Sequence, residues 1–174
     1  MPRFLEMFRP GERVASVLDI DPNALGSSGI ETVMLDLDNT LLPWQSSIVP
    51  DDVRAWIESI KQAGLKTCIV SNTHNPRRLT KISDDLDILS LPRALKPRRY
   101  GFAKAAEILC TDLSRSVVVG DQLLTDILGG NLAGARTILV RPMHPREFFG
   151  TKISRVVEFG ILMLLGKQSP AGTK

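Results

Sequence analysis

The sequence predicts an α/β fold of three layers, with a parallel sheet between two layers of helices. Three observations carry that prediction. Short apolar runs at 33–35, 66–70, 116–119 and 137–140 lack the polar alternation of a sheet with one wet face, so they suit strands buried on both sides. Stretches with apolar residues at helical spacing separate these runs, as parallel crossovers require. Polar residues gather where the runs stop, which is where open parallel sheets hold their ligands.

Residues 1–30 read as a lead-in, with Val14, Val17, Leu18 and Ile20 spaced for a short amphipathic helix. The first strand runs into Asp36 and Asp38, and a loop follows over 39–50. Pro50-Asp51-Asp52 opens a helix with Val53, Trp56, Ile57 and Ile60 on one face, closed by Ala63-Gly64. The second strand, 66–70, ends at Ser71-Asn72. A helix over 76–83, a weaker strand near 88–90, and the loop Leu95-Lys96-Pro97 come next. A helix over 100–109 leads to the strand that ends at Gly120-Asp121-Gln122. Residues 123–133 read as one helix before the strand at 137–140. These elements define a domain over 31–150, an amphipathic helix over 151–167, and a tail over 168–174 whose composition predicts disorder.

A chain of 174 residues fits one domain with a full core, and 43% hydrophobic against 24% charged residues excludes a disordered chain. A net charge of +3 gives a mild preference for anionic partners, and 5% aromatic residues count against nucleic acid. Cys68 and Cys110 lack metal-ligand spacing and read as reduced core residues. No secretory pattern opens the sequence, and the apolar stretch at 159–166 is too short to span a bilayer. The expected location is therefore the cytoplasm. Ile153, Val156, Val157, Ile161, Leu164 and Leu165, with basic flanks at Lys152, Arg155 and Lys167, would also suit peripheral contact with an anionic membrane face. Packing of the same stripe on the core or on a partner is the alternative.

Asp36 and Asp38 lie two apart at a strand end and face the same way. Ser71, Lys96 and Asp121 fall at other strand ends or connections, so the fold gathers them into one site. The set Asp36-Leu37-Asp38-Asn39-Thr40, Ser71, Lys96 and Gly120-Asp121 with Asp126 closely resembles the motifs of the haloacid dehalogenase (HAD) superfamily of phosphotransferases. Within it, the sequence is most similar to the class IIIA, YqeG-like branch, which includes phosphatidylglycerophosphate phosphatases. Thr151-Lys152, Arg155 and Glu158 also match that branch.

The resemblance implies a Rossmannoid domain and a phosphatase that works through an aspartyl-phosphate. Asp36 is the implied nucleophile, and Asp38 the acid that protonates the leaving oxygen and later activates water. Ser71 and Asn72 are implied to bind the phosphoryl oxygens, and Lys96 to offset the charge of nucleophile and phosphate. Mg²⁺ is the implied cofactor, on Asp36, the Asp38 carbonyl and Asp121, with Asp126 in support. No cap domain separates the motifs, so an open site and a large or surface-presented substrate are expected. The favoured partner is a phospholipid headgroup, with phosphatidylglycerophosphate converted to phosphatidylglycerol. Phosphatases of a protein, a nucleic-acid end or a small metabolite remain open, as does a binding protein that has kept the fold. The arginines at 77, 78, 93, 98, 99, 141 and 146 lie in or near connections, and one or two of them are expected to touch substrate, while His74 reads as a loop residue, with contact to the leaving group as the alternative.

Overall fold

The computed structural model describes residues 3–143. A six-stranded sheet holds β1 (Glu12–Val14), β2 (Thr32–Leu35), β3 (Lys66–Val70), β4 (Leu89–Leu91), β5 (Ser116–Gly120) and β6 (Arg136–Val140). Their order across the sheet is β1-β6-β5-β2-β3-β4, and every neighbouring pair is parallel. From β2 the chain steps outward to β3 and β4. It then returns to the other side of β2 for β5 and β6, which makes the carboxyl end of β2 the switch point.

Alternation along the strands fills two cores. Val33 and Leu35 of β2, with Ile69, Val117 and Val119, face a layer that includes α3 (Asp51–Gln62) and α4 (Pro76–Leu86). Met34, Cys68, Val70 and Val118 face the opposite layer, where α5 (Arg99–Ile108) and α6 (Leu128–Ala133) pack Phe102, Ala105 and Ala133. Both faces are covered, so the strands are continuously apolar. Helix α3 begins with Asp51 and Asp52 in its first turn, where the helix dipole favours anions. It ends at Gly64, whose φ of +75° suits glycine. The described residues have no domain inserted between β2 and β5; each interval between successive strands there holds one crossover helix.

The structure departs from the sequence reading in four places. The lead-in carries α1 (Arg3–Glu6), a 3₁₀ turn at Val17–Asp19 and α2 (Pro22–Ser27) in place of one amphipathic helix over 14–20. Within it, Glu12–Val14 pairs with Ile138, Leu139 and Val140 and becomes an edge strand. The run Glu-Arg-Val has no apolar signal because an edge strand has little to bury. Trp56 anchors the lead-in to α3 by donating its indole N–H to the Ile20 carbonyl at 2.9 Å. Residues 123–133 are also divided: a π turn at Leu123–Ile127 precedes α6. Finally, Cys68 is buried but Cys110 is exposed, so only one cysteine is a core residue. The predicted helix at 151–167 and the tail lie outside the described residues. Among those described, no helix is long and apolar enough to cross a membrane.

Candidate active site

Strand register sets the site. Leu35 of β2 is level with Ile69 of β3 and Val119 of β5. The next residues, Asp36, Val70-Ser71 and Gly120-Asp121, therefore emerge side by side. The Asp36 N–H still donates to the Val119 carbonyl at 2.9 Å, which ties the first carboxylate to the sheet.

Beyond Asp36 the chain turns sharply. Leu37, Leu41 and Leu42 are fully buried and drive the turn into the core. Asn39 takes a left-handed φ of +65°, which asparagine tolerates better than most residues, and donates to the Leu42 carbonyl at 2.7 Å. Leu41 and Leu42 both donate back to the Leu37 carbonyl. This tight turn brings the Thr40 hydroxyl onto Asp36 Oδ2 at 3.2 Å.

Lys96 is the hub of the site. Its ammonium donates to Asp36 Oδ1 at 2.6 Å and to Asp126 Oδ1 at 2.7 Å, with its side chain only 3% exposed. Asp126 is fully buried, and its Oδ2 accepts the Gln122 N–H at 3.1 Å. The π turn serves this arrangement: Asp126 and Ile127 both donate backbone N–H groups to the Gln122 carbonyl, winding the carboxylate back over the end of β5. Gly120 makes room for it, since a Cβ there would lie 2.3 Å from the Asp126 carboxyl. Asp36, Asp121 and Asp126 place carboxylate oxygens within 4.8 Å of one another.

Burial pushes the Asp36 carboxyl up to about 6; Lys96 opposes the shift, and Asp126 and Asp38 add to it. Burial alone would lower Lys96, but Asp126 and Asp36 outweigh it, so the lysine is held protonated above its ordinary range. The three converging carboxylates, all hard oxygen donors, fit a divalent cation such as Mg²⁺.

Asp38 has partners of its own. Arg78, near the start of α4, donates Nη1 to Oδ2 at 3.0 Å and Nη2 to Oδ1 at 2.8 Å. The Gln45 N–H adds a third bond at 3.0 Å. Arg78 Nε also donates to the Ser46 carbonyl at 2.9 Å, which fixes the fork in place. The sequence reading grouped Arg78 with loop arginines of unassigned role. Its position carried the missing signal: 78, 79, 82, 83 and 86 form one stripe of α4, of which 79, 82, 83 and 86 are buried. Arg78 continues that stripe at the end of the helix nearest the site, while Arg77 faces solvent.

Ser71 is buried at the end of β3, where its Oγ accepts the Thr73 N–H at 3.2 Å. Asn72 is occupied with Lys96: its amide donates to the Lys96 carbonyl at 3.0 Å and accepts the Lys96 N–H at 2.8 Å. The structure thus gives Asn72 the task of holding the lysine loop. His74 is exposed near the same loop, and His144 lies outside the described residues.

Similarity to known proteins agrees with this geometry. Residues 94–142 match the HAD-hydrolase-like family model. The probable phosphatase YqeG of Bacillus subtilis (strain 168) is 37% identical over 163 residues, covering 94% of each chain. This chain belongs to the haloacid dehalogenase superfamily of phosphatases. As a HAD phosphatase it is a phosphoric monoester hydrolase. A chloroplastic phosphatidylglycerophosphate phosphatase 1 of Chlamydomonas reinhardtii is 28% identical over 148 residues, spanning 80% of this chain and 55% of that protein. An uncharacterised protein from Listeria monocytogenes serotype 4b has a similar fold, with a TM-score of 0.55 at 17% identity, over 75% of this chain and 98% of that one.

Proposed function

We propose that this HAD phosphatase is Mg²⁺-dependent, acts through a covalent phosphate on Asp36, and hydrolyses phosphatidylglycerophosphate to phosphatidylglycerol. The observation that carries the mechanism is Lys96, buried and shared between Asp36 and Asp126. It holds Asp36 ionised against a burial that otherwise favours the neutral acid, and fixes the attacking oxygen in one place.

Asp36 attacks phosphorus, and the bond to the leaving oxygen breaks. Asp38 gives that oxygen a proton, then takes one from the water that cleaves the acyl phosphate. Lys96 and the backbone at the end of β3 beside Ser71 offset the charge on the transferring phosphoryl group. Asp36, Asp121 and the Asp38 carbonyl would hold Mg²⁺, with Asp126 in support; the ion, when bound, draws the anionic phosphate and carboxylate together.

Two observations support the lipid. Among the described residues no inserted cap stands between the motifs, so a headgroup presented at a surface can reach the site. The similarity to the algal enzyme named for this substrate points the same way. We place the chain in the cytoplasm, visiting the membrane face peripherally, with no nucleic-acid partner. A phosphate-release screen across phosphatidylglycerophosphate vesicles, nucleotides and phosphopeptides tests the substrate. Faster turnover of any other class in that panel would replace the lipid reading.

A further inference from the structure

The loop that delivers Lys96 also presents two arginines. Arg93 and Arg98 are exposed, and among the described residues neither has a carboxylate within ion-pair distance. Arg54, Arg78 and Arg115, by contrast, each engage an acid. Both free arginines line a cleft of about 660 Å³ together with Asn72, His74, Leu95 and Lys96. That volume is of ligand size. Lys96 thus belongs to both places: its ammonium faces Asp36, and its residue forms part of the cleft wall.

The loop is fixed rather than free to drift. Ala94 donates to the Ser71 carbonyl at 3.0 Å, and Asn72 brackets the Lys96 backbone. Gly101 lets α5 close on the loop; a Cβ there would lie 2.4 Å from the Ala94 carbonyl oxygen. Arg93 and Leu95 both hold left-handed backbone, at φ of +51° and +57°, which residues with a Cβ adopt at a cost. A rigid loop therefore carries two guanidinium groups with no acidic partner among the described residues, with the half-exposed Leu95 between them, beside the catalytic lysine.

We propose that this cleft is a second anion subsite, which takes a phosphodiester carried by the same substrate whose phosphomonoester is cleaved at Asp36. Guanidinium forks match phosphate oxygens in geometry and charge. Leu95 supplies an apolar contact for the carbon chain that joins the two phosphates. The inference rests on the phosphomonoesterase reading above and adds a reason for substrate choice. A molecule with a phosphomonoester alone leaves Arg93 and Arg98 unused.

Steady-state kinetics on three substrates test it. Glycerol 3-phosphate carries the monoester alone. Deacylated phosphatidylglycerophosphate carries monoester and diester in water. The intact lipid carries both in vesicles. The double variant Arg93→Gln, Arg98→Gln should raise KM for the deacylated compound about ten-fold, as expected for losing charge-assisted hydrogen bonds. Its kcat/KM on glycerol 3-phosphate should stay within about two-fold, which also reports a sound fold. An equal rise in KM on glycerol 3-phosphate, or no rise on the deacylated compound, would overturn the subsite. So would a dependence seen only with vesicles, since the arginines would then serve the surface. If the parent enzyme turns over glycerol 3-phosphate and the diester compound equally well, the subsite fails and the phosphatase reading stands. If it releases phosphate from none of the three, the substrate reading itself fails.

Discussion

Arg78, forty residues further along the chain, grips both carboxylate oxygens of Asp38, at 3.0 and 2.8 Å, from the first turn of α4. The two acids of the motif thus have different companions: Asp36 has a buried ammonium, Asp38 a guanidinium fork near solvent.

The fork sets the direction in which Asp38 points. Arg78→Ala should lower kcat for alkyl phosphates by on the order of ten-fold to a hundred-fold, the usual scale for a misplaced acid. Aryl phosphates, whose leaving groups need little protonation, should lose much less. Arg78→Lys should restore only part, because an ammonium cannot make the fork. Comparing kcat on an alkyl and an aryl ester checks this, and equal losses on both would show that Arg78 acts elsewhere.

Gly120 is the next point of control. Gly120→Ala puts a methyl group 2.3 Å from the Asp126 carboxyl, so the carboxylate must leave its place and release Lys96. Disrupting a buried pair in this way typically costs about 3–5 kcal/mol. The expected result is a lowered melting temperature together with a large loss of kcat. Thermal unfolding and kcat measured on the same sample check it, and an unchanged melting temperature would contradict the packing.

The raised Asp36 acid predicts a pH effect with a definite sign. Its carboxyl is pushed from 3.8 to about 6 on folding, so the folded state holds the proton over that interval. Its contribution to stability is present at low pH and is lost as pH rises through about 6. In metal-free protein, Asp36→Asn removes this dependence. The variant should therefore gain stability relative to the parent as pH rises from 4 to about 6. Denaturant midpoints across that range check the sign. A bound divalent cation should shift the titration downward.

Asp121→Asn should weaken cation binding more than chemistry. The amide keeps the shape but removes one of the clustered negative charges. Activity should fall at low Mg²⁺ and partly recover when the ion is raised, while a chelator should abolish it in the parent. A titration of activity against Mg²⁺ for both proteins checks this.

Much of this was legible in the sequence, and the failures have physical causes. The central strands declare themselves because burial on both faces demands unbroken apolar runs. The acids at 36, 38 and 121 follow, since they interrupt those runs at the same level of the sheet. Edge strand β1 buries little, so Glu12-Arg13-Val14 carries no such mark. The π turn depends on a side chain bonding back to Gln122, which hydrophobic spacing does not encode. Asn72 was expected to meet phosphate, but its amide faces the Lys96 backbone, a contact 24 residues distant in the chain that no local pattern announces. Arg78 was visible in principle, on the buried stripe of α4, and was obscured by the number of arginines around it.

The central claim is that phosphate passes through a covalent bond to Asp36. Rapid acid quenching during turnover, followed by borohydride reduction and peptide mapping, reads that bond directly, because an acyl phosphate is reduced to homoserine at the residue that carried it. We predict homoserine at position 36 in the parent enzyme, and neither homoserine nor phosphate release in Asp36→Asn. Steady phosphate release with no modified residue at 36, or with the modification at Asp38 or Asp121, would contradict the account.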